Sequence, residues 1–277
     1  MRESGLLLFG NLGKVGKILT VLTLFSIIIG CSNKADENTK KKELLIYCGI
    51  TMIKPITEIA SLIEKRENCK ITITKGGSGN LLKSINFNQT GDLFLPGSDK
   101  YYKMIKKDTP DLISETILVG HNRAAIMVQK GNPSHLTSDL NQLTDKKLGV
   151  VIGNPDSGSI GKTTKEILTK RGIFQDVVLN ALTLTTDSKD MIKALKLKEA
   201  DLVINWYAVS TWDNNPEFID VIEIEPEFRM TKKLILGLLK YSDEPDLARK
   251  FMVLAGGEDG RKIFRKHGLY MDNLDAH

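Results

Sequence analysis

Cysteine is scarce in this sequence, which contains only Cys31, Cys48 and Cys69. The last two stand at the end of one predicted strand, Leu44–Cys48, and at the start of the next, Cys69–Thr74. If these strands are parallel neighbours, the two cysteines lie at opposite ends of the pair, about 13 Å or more apart at roughly 3.3 Å per residue. A disulfide needs its Cα atoms within about 7 Å, so we predict two buried thiols.

The patterns that usually mark catalytic or metal sites are missing as well. No G-x-S-x-G nucleophile motif occurs, and Gly161–Thr163 matches only the end of a phosphate-binding P-loop, because Asp156 replaces its first glycine. The histidines are too far apart along the chain for metal-ligand spacing. They are His121, His135, His267 and His277. We therefore predict a protein that is not an enzyme and holds no metal or other cofactor.

A dense cluster of one charge is also missing. The formal net charge is +5. Residues 1–30 account for +2 of it, through Arg2, Lys14 and Lys17 against Glu3, which leaves +3 for the rest. The remaining basic residues are scattered among acids, without the basic stripe and interleaved aromatic residues that indicate nucleic-acid binding. We expect a monomer with a solvated surface and no nucleic-acid partner.

The apolar run near the N-terminus is too short for a permanent membrane helix. Ile18–Ile29 spans twelve residues, whereas a membrane-spanning helix needs about 20. With basic residues before it, the run is typical of a secretory signal peptide over residues 1–30. Cys31 resembles the lipidation site of bacterial lipoproteins, although Ile28 and Ile29 replace the leucine and the small residue usual there. An uncleaved anchor is the alternative, and both place the chain in the periplasm or at the cell surface, held at the membrane.

Beyond the leader, the chain changes from a polar segment to an alternation of apolar patterns. Residues 31–42 have no apolar side chain larger than alanine after Cys31 and are expected to form a flexible tether. From Glu43 onward, strand-like runs alternate with helical periods, which predicts an α/β fold with parallel-dominated sheets flanked by helices. We expect two lobes joined near Gly120 and Phe228. Lobe 1 comprises residues 43–120 and 229–277, and lobe 2 comprises residues 121–228.

Four predicted strand-to-helix junctions share hydroxyl side chains or glycines. They are Gly49–Thr51, Gly76–Gly79, Gly153–Gly161 and Thr185–Ser188. A helix N-terminus carries unsatisfied N–H donors and a partial positive charge, which together favour anions. Ligands of open α/β sheets bind beyond the carboxyl ends of the strands. At any single junction an ordinary N-cap is the better explanation, but four junctions around one cleft predict a shared anion site.

Seven segments carry a resemblance to a known family. They are TMIKPITEIA (Thr51–Ala60), GGSGNL (Gly76–Leu81), GDLFLPGSD (Gly91–Asp99), VQKGNP (Val128–Pro133), GNPDSGSIG (Gly153–Gly161), ALKLKEADLVINW (Ala194–Trp206) and IFRKHGLY (Ile263–Tyr270). Through them the chain resembles type II periplasmic solute-binding proteins over Leu44–Tyr270, close to the molybdate-binding components of ABC importers.

The resemblance implies a clamshell fold, a ligand and a partner. Two lobes would close on a small oxyanion held by hydroxyls and main-chain N–H groups, and the closed form would dock on an ABC permease that has a cytoplasmic ATPase. The positions that match the family's ligand contacts are Thr51, Ser78, Ser159, Ile160, Ser188 and Trp206. A tyrosine hydroxyl closes the site in the family, whereas Trp206 can donate only through its indole N–H.

Molybdate or tungstate is the leading ligand class, and two alternatives stay open. The first is the same fold binding sulfate, phosphate or an organic carboxylate. A carboxylate is usually paired with an arginine fork, so Arg123 in the cleft would favour it. The second is a ligand-sensing domain or a secreted enzyme, and a strongly shifted acid or base in the cleft would favour the enzyme.

Overall fold

The computed structural model describes residues 41–269 of the 277-residue chain. The predicted signal peptide (residues 1–30), the predicted lipidation site Cys31 and all but the last two residues of the predicted tether lie outside the described residues, as do residues 270–277. Within the described part, no helix has both the length and the apolar character needed to span a bilayer.

Three parallel strands and three helices come first along the chain. They are β1 (Glu43–Gly49), α1 (Ile53–Glu67), β2 (Lys70–Gly76), α2 (Ser78–Asn88), β3 (Leu93–Leu95) and α3 (Lys100–Asp108). The strands lie in the order β2–β1–β3. α1 buries Ile56, Ile59 and Ile63, which stand at helical spacing on one face. Pro55 lies within its first turn, where a missing N–H costs no helical hydrogen bond.

The second group of elements builds a further part of the same sheet. It comprises β4 (Ile113–Gln129), β5 (Val150–Gly153), α4 (Ser159–Arg171), α5 (Phe174–Asn180), β6 (Thr183–Thr185), α6 (Ser188–Lys196), β7 (Leu202–Trp206), α7 (Asn215–Phe218) and β8 (Ile219–Ile222). β9 (Thr231–Leu239), α8 (Pro245–Gly256) and α9 (Glu258–Lys266) then return to the first part. The strand order is β2–β1–β3–β9–β4–β7–β5–β6, with β8 paired to β4.

The 17-residue strand β4 joins the two parts of the sheet. Its first half pairs with β9 and its second half with β7 and β8, all antiparallel. The sequence pattern predicts a strand only over Ala124–Gln129 at this place. The strand instead continues through Gly120, with a register shift between Leu118 and Gly120. It is longer than predicted because β9 satisfies the backbone hydrogen bonds of its first half, a long-range pairing that local apolar periodicity does not reveal.

Hydrophobic cores lie on both sides of this junction. One is built around β5, β7, α4 and α6, and another around β1, β3, β9, α1 and α8. The parallel pairs predicted from the alternation are present in β2–β1–β3 and β6–β5–β7. Antiparallel pairs enter where β4 and β9 cross between the two parts, so the complete sheet is mixed.

Both cysteines of the described part are free and buried, as predicted. Cys48 pairs with Lys75 in the β1–β2 register, near the end of β2 opposite to Cys69. Burial raises the pKa of the Cys48 thiol well above its ordinary value, which keeps it protonated and unreactive.

Candidate functional site

The carboxyl ends of β1, β2, β5, β6 and β7, with the turns and helices that follow them, surround one small cavity. All six residues predicted to contact the ligand line it: Thr51, Ser78, Ser159, Ile160, Ser188 and Trp206. Its volume is about 10 Å³, about the room that one water molecule needs. The structure therefore brings the six residues together, and their contact with a ligand stays a prediction.

The β1–β2 side of the cavity contributes two hydroxyl groups. Thr51 lies in a single 3₁₀ turn between β1 and α1, and Ser78 is the first residue of α2; each is 2% exposed. The Ser78 hydroxyl oxygen accepts a hydrogen bond of 3.0 Å from the backbone N–H of Gly97. Its own hydrogen is therefore available as a donor to a ligand.

The β5–β6 side contributes helix starts. Ser159 and Ile160 open α4, and Ser188 opens α6. Their backbone N–H groups belong to the first turn, where a helix supplies no carbonyl partner. The amide of Asn205 donates to the Ser188 carbonyl oxygen at 2.9 Å, which fixes this helix start against the end of β7.

In this structure the side chain of Trp206 forms a hydrogen bond with Ser159. Its side chain is 1% exposed at the end of β7, and its indole N–H donates to the Ser159 hydroxyl oxygen at 3.2 Å. The resemblance implies that the residue at this position donates directly to the ligand. Here the single donor of Trp206 is used within the protein, which leaves the hydrogen of Ser159 as the group that can point toward the cavity.

The cavity is lined almost entirely by neutral groups. Among the described residues that line it, only Asp187 is ionisable, and its carboxylate accepts a hydrogen bond of 2.8 Å from the backbone N–H of Lys189 as the N-cap of α6. Arg123 is not among the lining residues. It pairs with Glu223 and stacks on the ring of Tyr207, 4.1 Å from the ring centroid.

Strongly shifted pKa values occur away from this cavity. Burial raises the pKa of Tyr102, and burial with a smaller effect of the nearby Asp156 carboxylate raises that of Tyr101. Neither tyrosine lines the cavity, and neither does Cys48. These groups are neutral interior side chains, so their shifts do not indicate an acid or base poised for catalysis.

One contact across the cavity is not evident from the sequence. The backbone N–H groups of Gly79 and Asn80, in the first turn of α2, donate to the carbonyl oxygen of Ser157 at 3.0 and 3.3 Å. Two of the donors that a helix start could offer an anion are thus used by the opposite wall. The only signal for this contact in the sequence is the glycine-rich segment around Ser157, which does not identify its partner.

Comparison with known proteins places this arrangement among extracytoplasmic binding proteins. A family model described as bacterial extracellular solute-binding protein matches residues 44–270. A relative from Haemophilus influenzae, named "Putative binding protein", is 26% identical over 232 residues, which cover 82% of this chain and 90% of the relative.

Solved structures show the same fold at low sequence identity. The periplasmic molybdate-binding protein of Azotobacter vinelandii has a TM-score of 0.69 and 13% identity, covering 83% of this chain and 100% of that one. The periplasmic binding protein AfuA from Actinobacillus pleuropneumoniae, with fructose-6-phosphate bound, has a TM-score of 0.71 and 17% identity, covering 86% and 87% of the two chains. The predicted two-lobed type II binding-protein fold is therefore confirmed.

Proposed function

Because this chain belongs to the family of bacterial extracellular solute-binding proteins, we propose that it captures a small oxyanion of the molybdate and tungstate class and delivers it to an ABC permease. The observation that carries this proposal is the convergence of three hydroxyls and several helix starts on one cavity without a cationic side chain. Neutral dipoles of this kind hold an anion by hydrogen bonds and by the partial charges of the helix ends.

The number of donors agrees with capture of an anion. Hydroxyls of Thr51, Ser78 and Ser159 and backbone N–H groups at Ile160 and Ser188 supply about five hydrogen bonds to an anion. At about 1.5–3 kcal/mol each, they supply roughly 8–15 kcal/mol, from which the costs of association and of ordering are subtracted. After the smallest association cost, about 4 kcal/mol, roughly 4–11 kcal/mol remains, which corresponds to dissociation constants from about 1 mM to about 10 nM.

Ligand entry requires the cavity walls to move. The cavity has room for about one water molecule, whereas a tetrahedral oxyanion is larger. We propose that lobe 1 (residues 43–120 and 229–277) and lobe 2 (residues 121–228) open and close about the crossings of β4 and β9. Closure of two lobes around a ligand is a common hinge motion in binding proteins.

A screen of anions combined with paired substitutions tests this function. Molybdate, tungstate, sulfate, phosphate and small carboxylates are compared by thermal shift and calorimetry, because a ligand that binds the folded state raises the unfolding temperature. The double variant Thr51→Ala/Ser78→Ala should lower oxyanion affinity at least about 100-fold, since two charge-assisted hydrogen bonds are lost.

The matched control is Thr57→Ala/Ser61→Ala, which removes the same two residue types from the exposed face of α1. It should bind the anion like the unmodified protein. Equal affinity of both double variants would show that the cavity is not the ligand site.

The carboxylate alternative is the weaker one because Arg123 is held by Glu223 and Tyr207, away from the lining of the cavity. For the same site we propose transport without catalysis and a monomeric protein.

We also propose that Cys31 carries a lipid that holds the protein at the membrane. Replacement of Cys31 with serine should move the protein from the membrane fraction to the soluble extracytoplasmic fraction in a fractionation experiment. Continued membrane association of Cys31→Ser would indicate an uncleaved N-terminal anchor instead.

A further inference from the structure

A second, larger cavity lies beside the small one and shares Ile50 with its wall. Its volume is about 350 Å³, within the usual range for small-molecule sites. Ile53 and Ile50 line it from the α1 side, and Ile192, Val209 and Trp212 line it from the opposite side. An organic body placed here would therefore contact elements from both sides of the small cavity.

The rim of this cavity is basic. Its lining includes Lys54, Lys75, Lys189, Lys193 and Lys196. Lys54 pairs with Asp213, the single acidic lining residue, at 2.9 Å. In the part of the chain that the structure describes, Lys75, Lys189 and Lys193 form no salt bridge, so the cavity has an excess of positive charge that a ligand anion would neutralise.

We propose that the larger cavity holds the body of an organic phosphate whose phosphate group occupies the small cavity and whose body carries a second acidic group that reaches the lysines. The proposal rests on the proposed capture of an oxyanion at the small cavity and extends it to an oxyanion group that is esterified to an organic body. No arginine lines the small cavity; its helix starts recognise phosphate, whereas a carboxylate there would favour an arginine fork.

Three probes of increasing size separate the parts of this site. They are inorganic phosphate, phenyl phosphate and 4-carboxyphenyl phosphate, compared by calorimetry. Phenyl phosphate should bind at least about tenfold more tightly than inorganic phosphate, which corresponds to burial of roughly 60 Å² of apolar surface. 4-Carboxyphenyl phosphate should bind about fivefold more tightly again, or more, because its carboxylate pairs with the lysines.

The variant Lys189→Glu/Lys193→Glu tests the role of the rim. Both side chains are exposed, so the fold should be retained. In this variant 4-carboxyphenyl phosphate should bind no more tightly than phenyl phosphate. Phenyl phosphate should still bind more tightly than inorganic phosphate. The control Lys146→Glu/Lys147→Glu makes the same charge change on an exposed segment away from both cavities and should preserve both differences in affinity.

Two results would overturn the proposal, and they differ from each other. If bare oxyanions bind but phenyl phosphate binds no more tightly than inorganic phosphate, the larger cavity has no part in binding while the proposed function stands. If none of the bare or organic anions binds, the proposed capture of an oxyanion fails, and this inference fails with it.

Discussion

Ser159 links two features of the small cavity at the scale of single residues. It opens α4, and its hydroxyl accepts the indole N–H of Trp206. A fully buried tryptophan needs a partner for its polar atom. Trp206 therefore forms an apolar wall whose one donor also orients the Ser159 hydroxyl.

The variant Trp206→Phe should lower the free energy of unfolding by about 1–2 kcal/mol, because it loses this hydrogen bond and some buried apolar surface. Urea denaturation measures the change. The control Trp212→Phe removes an indole N–H that has no acceptor within residues 41–269 and comes from a ring that is only partly buried. Trp212→Phe should therefore lower the free energy of unfolding by less than Trp206→Phe does. An equal decrease in the two variants would contradict the role given to the Trp206 hydrogen bond.

At the scale of elements, α4 is tied to the opposite side of the fold by one carboxylate. Glu166 forms ion pairs with Lys100 of α3 at 2.5 Å and with Lys232 of β9 at 2.6 Å. Burial raises the pKa of this carboxyl, but hydrogen bonds from the two lysines lower it by more, so the net pKa lies below the ordinary value of 4.5. The lowered pKa means that the folded state stabilises the ionised form.

Replacement of Glu166 with glutamine should reduce the free energy of unfolding by about 1 kcal/mol at pH 7. Because the folded-state pKa is lowered, the ion pairs contribute fully above pH 4.5, and their contribution is lost as the pH falls through the folded value. Unfolding curves of both proteins from pH 7 to strongly acidic pH should therefore converge at the acidic end.

The control for this measurement is Glu258→Gln on α9, whose side chain is 82% exposed in its pair with Lys262. Its effect at pH 7 should be smaller, since exposed pairs one helical turn apart contribute little. A pH-independent difference for Glu166→Gln would mean that lost packing, not charge, accounts for its effect.

At the scale of the whole molecule, close backbone contact across the small cavity depends on glycine. A Cβ atom added to Gly77 would lie 2.5 Å from the carbonyl oxygen of Ser157 and 2.8 Å from that of Thr186. Both are backbone atoms on the opposite wall and cannot move aside like a flexible side chain. The described arrangement is therefore a closed one that a single methyl group would oppose.

The variant Gly77→Ala should favour an open form, with a larger radius of gyration in small-angle X-ray scattering and at least about tenfold weaker oxyanion binding. Gly76→Ala is the matched control, because its added Cβ would meet only the Leu81 side chain, at 3.7 Å, an ordinary contact. If Gly77→Ala has the same radius of gyration and the same oxyanion affinity as Gly76→Ala, closure does not depend on the close contact of Gly77 with the opposite backbone.

The sequence by itself determined most of the longer elements and the chemistry of their junctions. The predicted strands Leu44–Cys48 and Cys69–Thr74 agree to within two residues with β1 (Glu43–Gly49) and β2 (Lys70–Gly76), because short apolar runs are local signals. The short elements α5, α7 and β8 were not predicted, since a few residues do not establish a period. The resemblance, rather than periodicity, supplied the six candidate ligand residues.

Only the tertiary structure decided how those residues are used. It brought Thr51 and Trp206 to the same cavity, paired Trp206 with Ser159, and assigned two N–H donors of α2 to Ser157. It also placed the lysine-rimmed cavity beside the small one. Each of these outcomes depends on contacts between residues far apart in the chain. A local pattern can specify which groups stand at a helix start, but the packing of the whole sheet decides which partner each group meets.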